Sequence, residues 1–77
     1  MKFNIGDLVL ITRNFDGALC KGVTGTVVKI HYEGRYGLRL DSFQEFAHTL
    51  HGTLPDGYGW NASEDSLTLL DSFEGNI

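Results

Sequence analysis

The chain is expected to be all-β, a single small barrel of five short strands, and three observations lead there. Five apolar runs of strand length follow one another: 7–12, 25–30, 35–41, 58–62 and 66–70. Each is rich in β-branched, leucine or aromatic residues and is bounded by glycine, asparagine or aspartate, the composition of strands separated by turns. The chain has 77 residues, enough for one domain with one thin core; at this size roughly 60% of the unfolded surface is buried. The domain is expected to span 1–71, with 72–77 a frayed polar tail.

In the first run Leu8, Val9, Leu10 and Ile11 carry apolar side chains to both faces, as in a strand covered on each side. Residues 13–22 then form a loop with Asn14 and Asp16-Gly17 as turn formers. Phe15 and Leu19 are expected to tuck beneath it, with an exposed anchor as the alternative for either. The second strand starts near Gly22-Val23-Thr24-Gly25. Gly25 suits a bend or bulge, and Val27, Val28 and Ile30 break strict alternation in the way a bulge does. His31 to Tyr36 make a hairpin with Glu33-Gly34 at its tip. The third strand alternates cleanly, with Tyr36, Leu38 and Leu40 inward and Arg35, Arg39 and Asp41 outward.

Residues 42–57 admit two readings. Ser42 and Glu45 match a capping box, and Phe43, Phe46, Ala47 and Leu50 follow helical spacing up to Gly52, which predicts a short helix over 43–51. The other reading is an irregular excursion held on the barrel by its aromatics. It is long for a connection in so small a domain, and long loops tend to carry function. Pro55-Asp56-Gly57 is a turn, Tyr58-Gly59-Trp60 starts the fourth strand, and 63–66 read as a single 3₁₀ turn before the last strand at 67–70.

Six Lys and Arg against ten Asp and Glu give a net charge of −4, which sets the chain against a phosphate backbone and makes nucleic acid an unfavoured partner. No apolar run approaches the about 18 residues that span a bilayer. The N-terminus lacks the apolar stretch of a signal peptide, and the single Cys20 fits a reducing compartment; the cytoplasm is the expected location.

No pattern points to catalysis. Ser42, His48 and Asp41 make a triad only on paper, without the nucleophile elbow that would support it. His48 and His51 lack the further ligands and spacing of a zinc site, and no phosphate-cradling glycine motif is present. The expectation is a non-enzymatic protein with no metal and no cofactor. Tyr32, His48, His51, Tyr58 and Trp60 are the expected partner contacts, since tyrosine and tryptophan are favoured anchors of binding surfaces; for Trp60 core and surface roles weigh equally. A homodimer is a further expectation, from exposed strand edges. The alternative is a small ligand such as a nucleotide, with Arg35 and Arg39 meeting its phosphates and Asp41 a further ligand contact. A weaker alternative is single-stranded nucleic acid.

The order Gly6-Asp7-x-Val9-x-Ile11, Gly22-x-x-Gly25-Thr26-Val27-Val28 and Tyr36-x-Leu38-Arg39-Leu40-Asp41 resembles SH3-like and KOW-type barrels. The ending, His48-x-Leu50-x-Gly52, Gly57-x-Gly59-Trp60 and Glu64-Asp65-x-Leu67-x-Leu69-Leu70, resembles small proteins of bacteriophages and prophages. The resemblance runs from about residue 5 to 71. It implies a five-stranded SH3-like barrel and a short accessory protein that binds and inhibits or modulates a bacterial host protein, in the host cytoplasm.

Overall fold

A computed structural model describes residues 2–15, 17–32 and 34–72. Five antiparallel strands form one sheet: β1 (Leu8–Ile11), β2 (Thr24–Ile30), β3 (Arg35–Leu40), β4 (Gly59–Ser63) and β5 (Leu67–Asp71), in the order β4-β3-β2-β1-β5. The all-β expectation holds. Consecutive strands pair through β1–β4, and β5 returns to the free side of β1.

The sheet rolls because its two outer strands are joined directly. A 3₁₀ turn, Glu64–Ser66, is all that separates β4 from β5. At about 2 Å of rise per residue it spans roughly 8 Å, whereas four strand spacings across a flat sheet come to about 19 Å. The outer strands are therefore drawn together, and Val9, Ile11, Val27, Tyr36, Leu38, Leu40, Ala62 and Leu67, one or more from every strand, bury in one cluster. Among the described residues no ladder joins β4 to β5, so the roll keeps a seam along β4.

β3 follows the predicted alternation: Tyr36, Leu38 and Leu40 are buried, while Arg35, Arg39 and Asp41 are exposed. The Tyr36 hydroxyl accepts the Phe3 N–H (3.2 Å), and the two rings meet edge to face, closing one end of the core. The bulge expected in β2 falls between Val27 and Lys29. Gly25 instead serves a close approach: a Cβ there would lie 2.9 Å from the Arg39 carbonyl oxygen on β3. Glu33, expected at the hairpin tip, and residues 73–77 of the expected tail lie outside the described residues.

Residues 42–57 form no helix; they take the irregular course, with isolated turns and one bridge. The four helically spaced apolar residues part company. Ala47 and Phe46 pack into the main cluster, while Phe43 stays exposed with its ring edge to face with Tyr58. Leu50 is buried outside the main cluster. Its side chain lies over Gly37, and a Cβ on Gly59 would meet the Leu50 amide nitrogen at 2.6 Å. Both glycines point outward by the parity of β3 and β4, so together they make a slot on the outside of the sheet that Leu50 fills.

To reach this slot the chain passes through left-handed backbone at Leu50 (φ 52°), His51 (φ 61°) and Gly52 (φ 84°). For a non-glycine residue that conformation costs roughly 1–2 kcal/mol. It is held by a dense local net. The Leu50 N–H donates to His48 Nδ1 (3.0 Å), the Thr53 hydroxyl to the Leu50 carbonyl (2.8 Å), and the Gly52 N–H to the Thr49 hydroxyl (2.9 Å). No helix among the described residues is long and apolar enough to cross a membrane.

Candidate functional site

Along the seam lies a cleft of about 260 Å³, lined by Ile11 and Cys20 at its base, Phe15 and Arg13 from the loop after β1, Arg35 from β3, and Trp60 to Ser63 from β4. Each wall follows from local structure. Ala62 faces the core, so Trp60, two residues earlier on the strand, faces the same way, at the end of the roll where the core opens to the cleft. Trp60 is half-buried and packs on the main cluster, which unites the two roles weighed for it.

Three rings surround the indole: Phe46 at 4.8 Å and Phe15 at 6.4 Å between centroids, both edge to face, and the tilted His48 imidazole at 5.9 Å. Edge-to-face aromatic pairs contribute about 0.5–1.5 kcal/mol beyond their buried area. Phe15 remains exposed and Leu19 more so, so the exposed alternative holds in place of the tucked one; a short Phe15–Ala18 bridge leaves their side chains outside. Cys20 is fully buried, and its thiol donates to the Arg13 carbonyl (3.3 Å).

The cleft is cationic in an acidic protein. Arg13 has a single long contact, 3.8 Å, to Asp65, both well exposed. An exposed pair at that distance contributes about 0–1 kcal/mol, so Arg13 is available. Arg35 is exposed and has no ion-pair or hydrogen-bond partner for its guanidinium among the described residues. Asn14 and Asn61 add polar groups: the Asn14 carboxamide accepts the Lys21 N–H (2.9 Å), and that of Asn61 bonds His31 Nε2 (2.8 Å).

Comparison with protein-family models, with curated proteins and with solved structures finds no match.

Of the expected partner contacts, His48 and Trp60 come together. His48 exchanges backbone hydrogen bonds with Gly59 (2.8 and 2.6 Å), which fixes it beside β4, and its Nδ1 accepts from Leu50. Tyr58 lies on the other side of the excursion, half-buried against Phe43, in a shallow cleft with Arg39, Leu40, Asp41, Leu54 and Pro55. His51 is exposed on the left-handed turn, and Tyr32 is 80% exposed on the β2–β3 hairpin. Among the described residues no hydrogen bond or ring contact joins Tyr32 to the other four.

Arg35 and Arg39 share the outer face of β3 but open onto different clefts; four residues of strand put their Cα atoms about 13 Å apart. Asp41 accepts the Thr24 hydroxyl at 2.5 Å. The two arginines that line one cleft are thus Arg13 and Arg35. Arg13 opens the 13–22 loop, and no motif in the sequence singles it out. The available signal was its place directly after β1, where the chain leaves the sheet beside the seam. Among the described residues no three His, Cys, Asp or Glu side chains are grouped to hold a metal ion.

Proposed function

We propose that the chain is a small non-enzymatic protein-binding module whose contact surface is the seam: the 13–22 loop, β4 and the neighbouring part of the 42–57 excursion. The observation that carries this is the aromatic group around Trp60 beside two arginines that hold no strong partner among the described residues. Aromatic anchors and arginine are the residues on which binding energy concentrates. The strand order and the 3₁₀ turn before β5 support the SH3-like reading of the motifs, and the resemblance of the ending to bacteriophage proteins extends the proposal to a bacterial host protein, bound in the cytoplasm and modulated by occlusion of its surface. A nucleotide is less well served, because Arg35 and Arg39 open onto different clefts and neither cleft offers both guanidiniums to its phosphates.

The test is affinity capture from nuclease-treated bacterial lysate with wild-type chain and with Phe15→Ala/Arg35→Ala, two exposed positions whose loss leaves the core intact. A stoichiometric protein held by the wild type and lost from the variant is expected. Retention of the same protein by both chains would remove the seam as the contact surface.

A further inference from the structure

The backbone of β4 has an unused margin inside the cleft. Gly59 directs both of its backbone hydrogen bonds to His48, on the side away from β3. Along a strand these groups alternate between sides, and the β3–β4 register runs without a shift from Arg35↔Ser63 to Arg39↔Gly59. Asn61 and Ser63 therefore turn their N–H and C=O groups away from β3 as well. The flanking residues confirm the parity: the Tyr58 carbonyl accepts from Leu40 and the Glu64 N–H donates to Gly34, both toward β3.

The excursion covers this margin only at Gly59. The Ser63 carbonyl accepts the Ser66 hydroxyl (2.9 Å). The Asn61 N–H and C=O and the Ser63 N–H have no protein partner among the described residues. Strands elsewhere protect such edges with bulges, lysines or a covering segment. Here Trp60 and Phe15 lie on the core side of the edge, Arg35 lies on its outer side by the parity of β3 and β4, and Arg13 lines the same cleft.

We propose that this margin is a strand-addition site. An extended segment of a protein partner lies along β4 in the seam, exchanges backbone hydrogen bonds with Asn61 and Ser63, and sets a carboxylate on Arg13 and Arg35. The proposal rests on the protein-binding reading above and specifies the partner's chemistry: a short β-forming stretch with an acidic side chain or a C-terminal carboxylate at one end. Main-chain pairing supplies affinity in this mode and the flanking side chains supply choice. The carboxylate follows from charge, because two guanidiniums meet one carboxylate, Asp65, at the cleft rim.

The experiment uses the ¹⁵N-labelled full chain and three acetylated hexapeptides of alternating threonine and valine. One ends in a C-terminal amide after aspartate, one in a free C-terminal carboxylate without aspartate, and one in an amide without either. Either carboxylate peptide is expected to shift the Asn61 and Ser63 amide resonances and to slow their hydrogen exchange about tenfold. It should also bind about tenfold more tightly than the neutral peptide. Which of the two does so identifies the carboxylate's source. Arg13→Ala/Arg35→Ala should erase that preference, and N-methylation of alternate peptide amides should abolish binding.

Absence of binding by both carboxylate peptides at about 1 mM, or binding that leaves Asn61 and Ser63 exchange unchanged, overturns the proposal. So does concentration-dependent protection of the same two amides in the peptide-free chain, which would assign the margin to a second copy. A captured host protein whose complex leaves the two amides exchanging freely overturns strand addition while the protein-binding reading survives.

Discussion

Gly59 carries more of the structure than its size suggests. Its missing side chain lets the excursion lie against β4, and its backbone groups are the ones that His48 grips. Gly59→Ala would set a Cβ 2.6 Å from the Leu50 nitrogen and 2.8 Å from the His48 carbonyl oxygen; backbone atoms cannot give way as a flexible side chain can. The expected loss is about 1–3 kcal/mol, the usual range for overpacking, read as a lower urea midpoint. His51 is the opposite case. It is exposed at φ 61°, so His51→Gly relieves left-handed strain of about 1–2 kcal/mol at an entropic cost of about 0.5–1 kcal/mol. A net gain of about 0.5–1 kcal/mol is expected, a rise of a few degrees in melting temperature for a domain of this size. A variant that melts lower would mean that the His51 side chain holds a contact of its own.

The excursion and the sheet differ in how far sequence could read them. β3 was legible because its two faces meet different surroundings, one a core and the other water, and Tyr36, Leu38 and Leu40 alternate with Arg35, Arg39 and Asp41 to match. Residues 42–57 were not, although Phe43, Phe46, Ala47 and Leu50 keep a helical spacing. Their destinations are set by distant partners: the core end for Ala47, Tyr58 for Phe43, and for Leu50 a slot made by two glycines from separate strands. Nothing local in the sequence announces such a slot. The seam cleft was half legible, since its loop and Trp60 were named, yet the pairing of Arg13 with Arg35 depends on how the roll closes. Leu50→Ala empties the slot and is expected to lower stability by about 2–4 kcal/mol. Its effect on exchange should be regional: the Leu54 and His48 amides, bonded within or beside the excursion, should exchange faster, while Val9 and Val27 in the main core keep the slowest rates. Equal acceleration throughout would show that excursion and sheet unfold as one unit.

At the scale of the whole molecule, charge and shape act in different directions. The net charge is −4, yet the cleft presents two arginines. Long-range repulsion governs the approach of a polyanion, whereas a single carboxylate on a partner meets only the local field. The chain is therefore expected to show no measurable binding to a single-stranded DNA oligonucleotide by fluorescence anisotropy in moderate salt. Affinity that falls steeply with added salt would restore the nucleic-acid alternative. The single tryptophan has one more consequence. Trp60 is the chain's dominant ultraviolet emitter and stands at the mouth of the cleft among three other rings. Its emission colour depends on how much water reaches the indole, so a bound segment that excludes water there should turn the emission bluer and unfolding should turn it redder. The molecule has a built-in optical gauge that separates occupancy from unfolding by the sign of one spectral shift, with no dye attached.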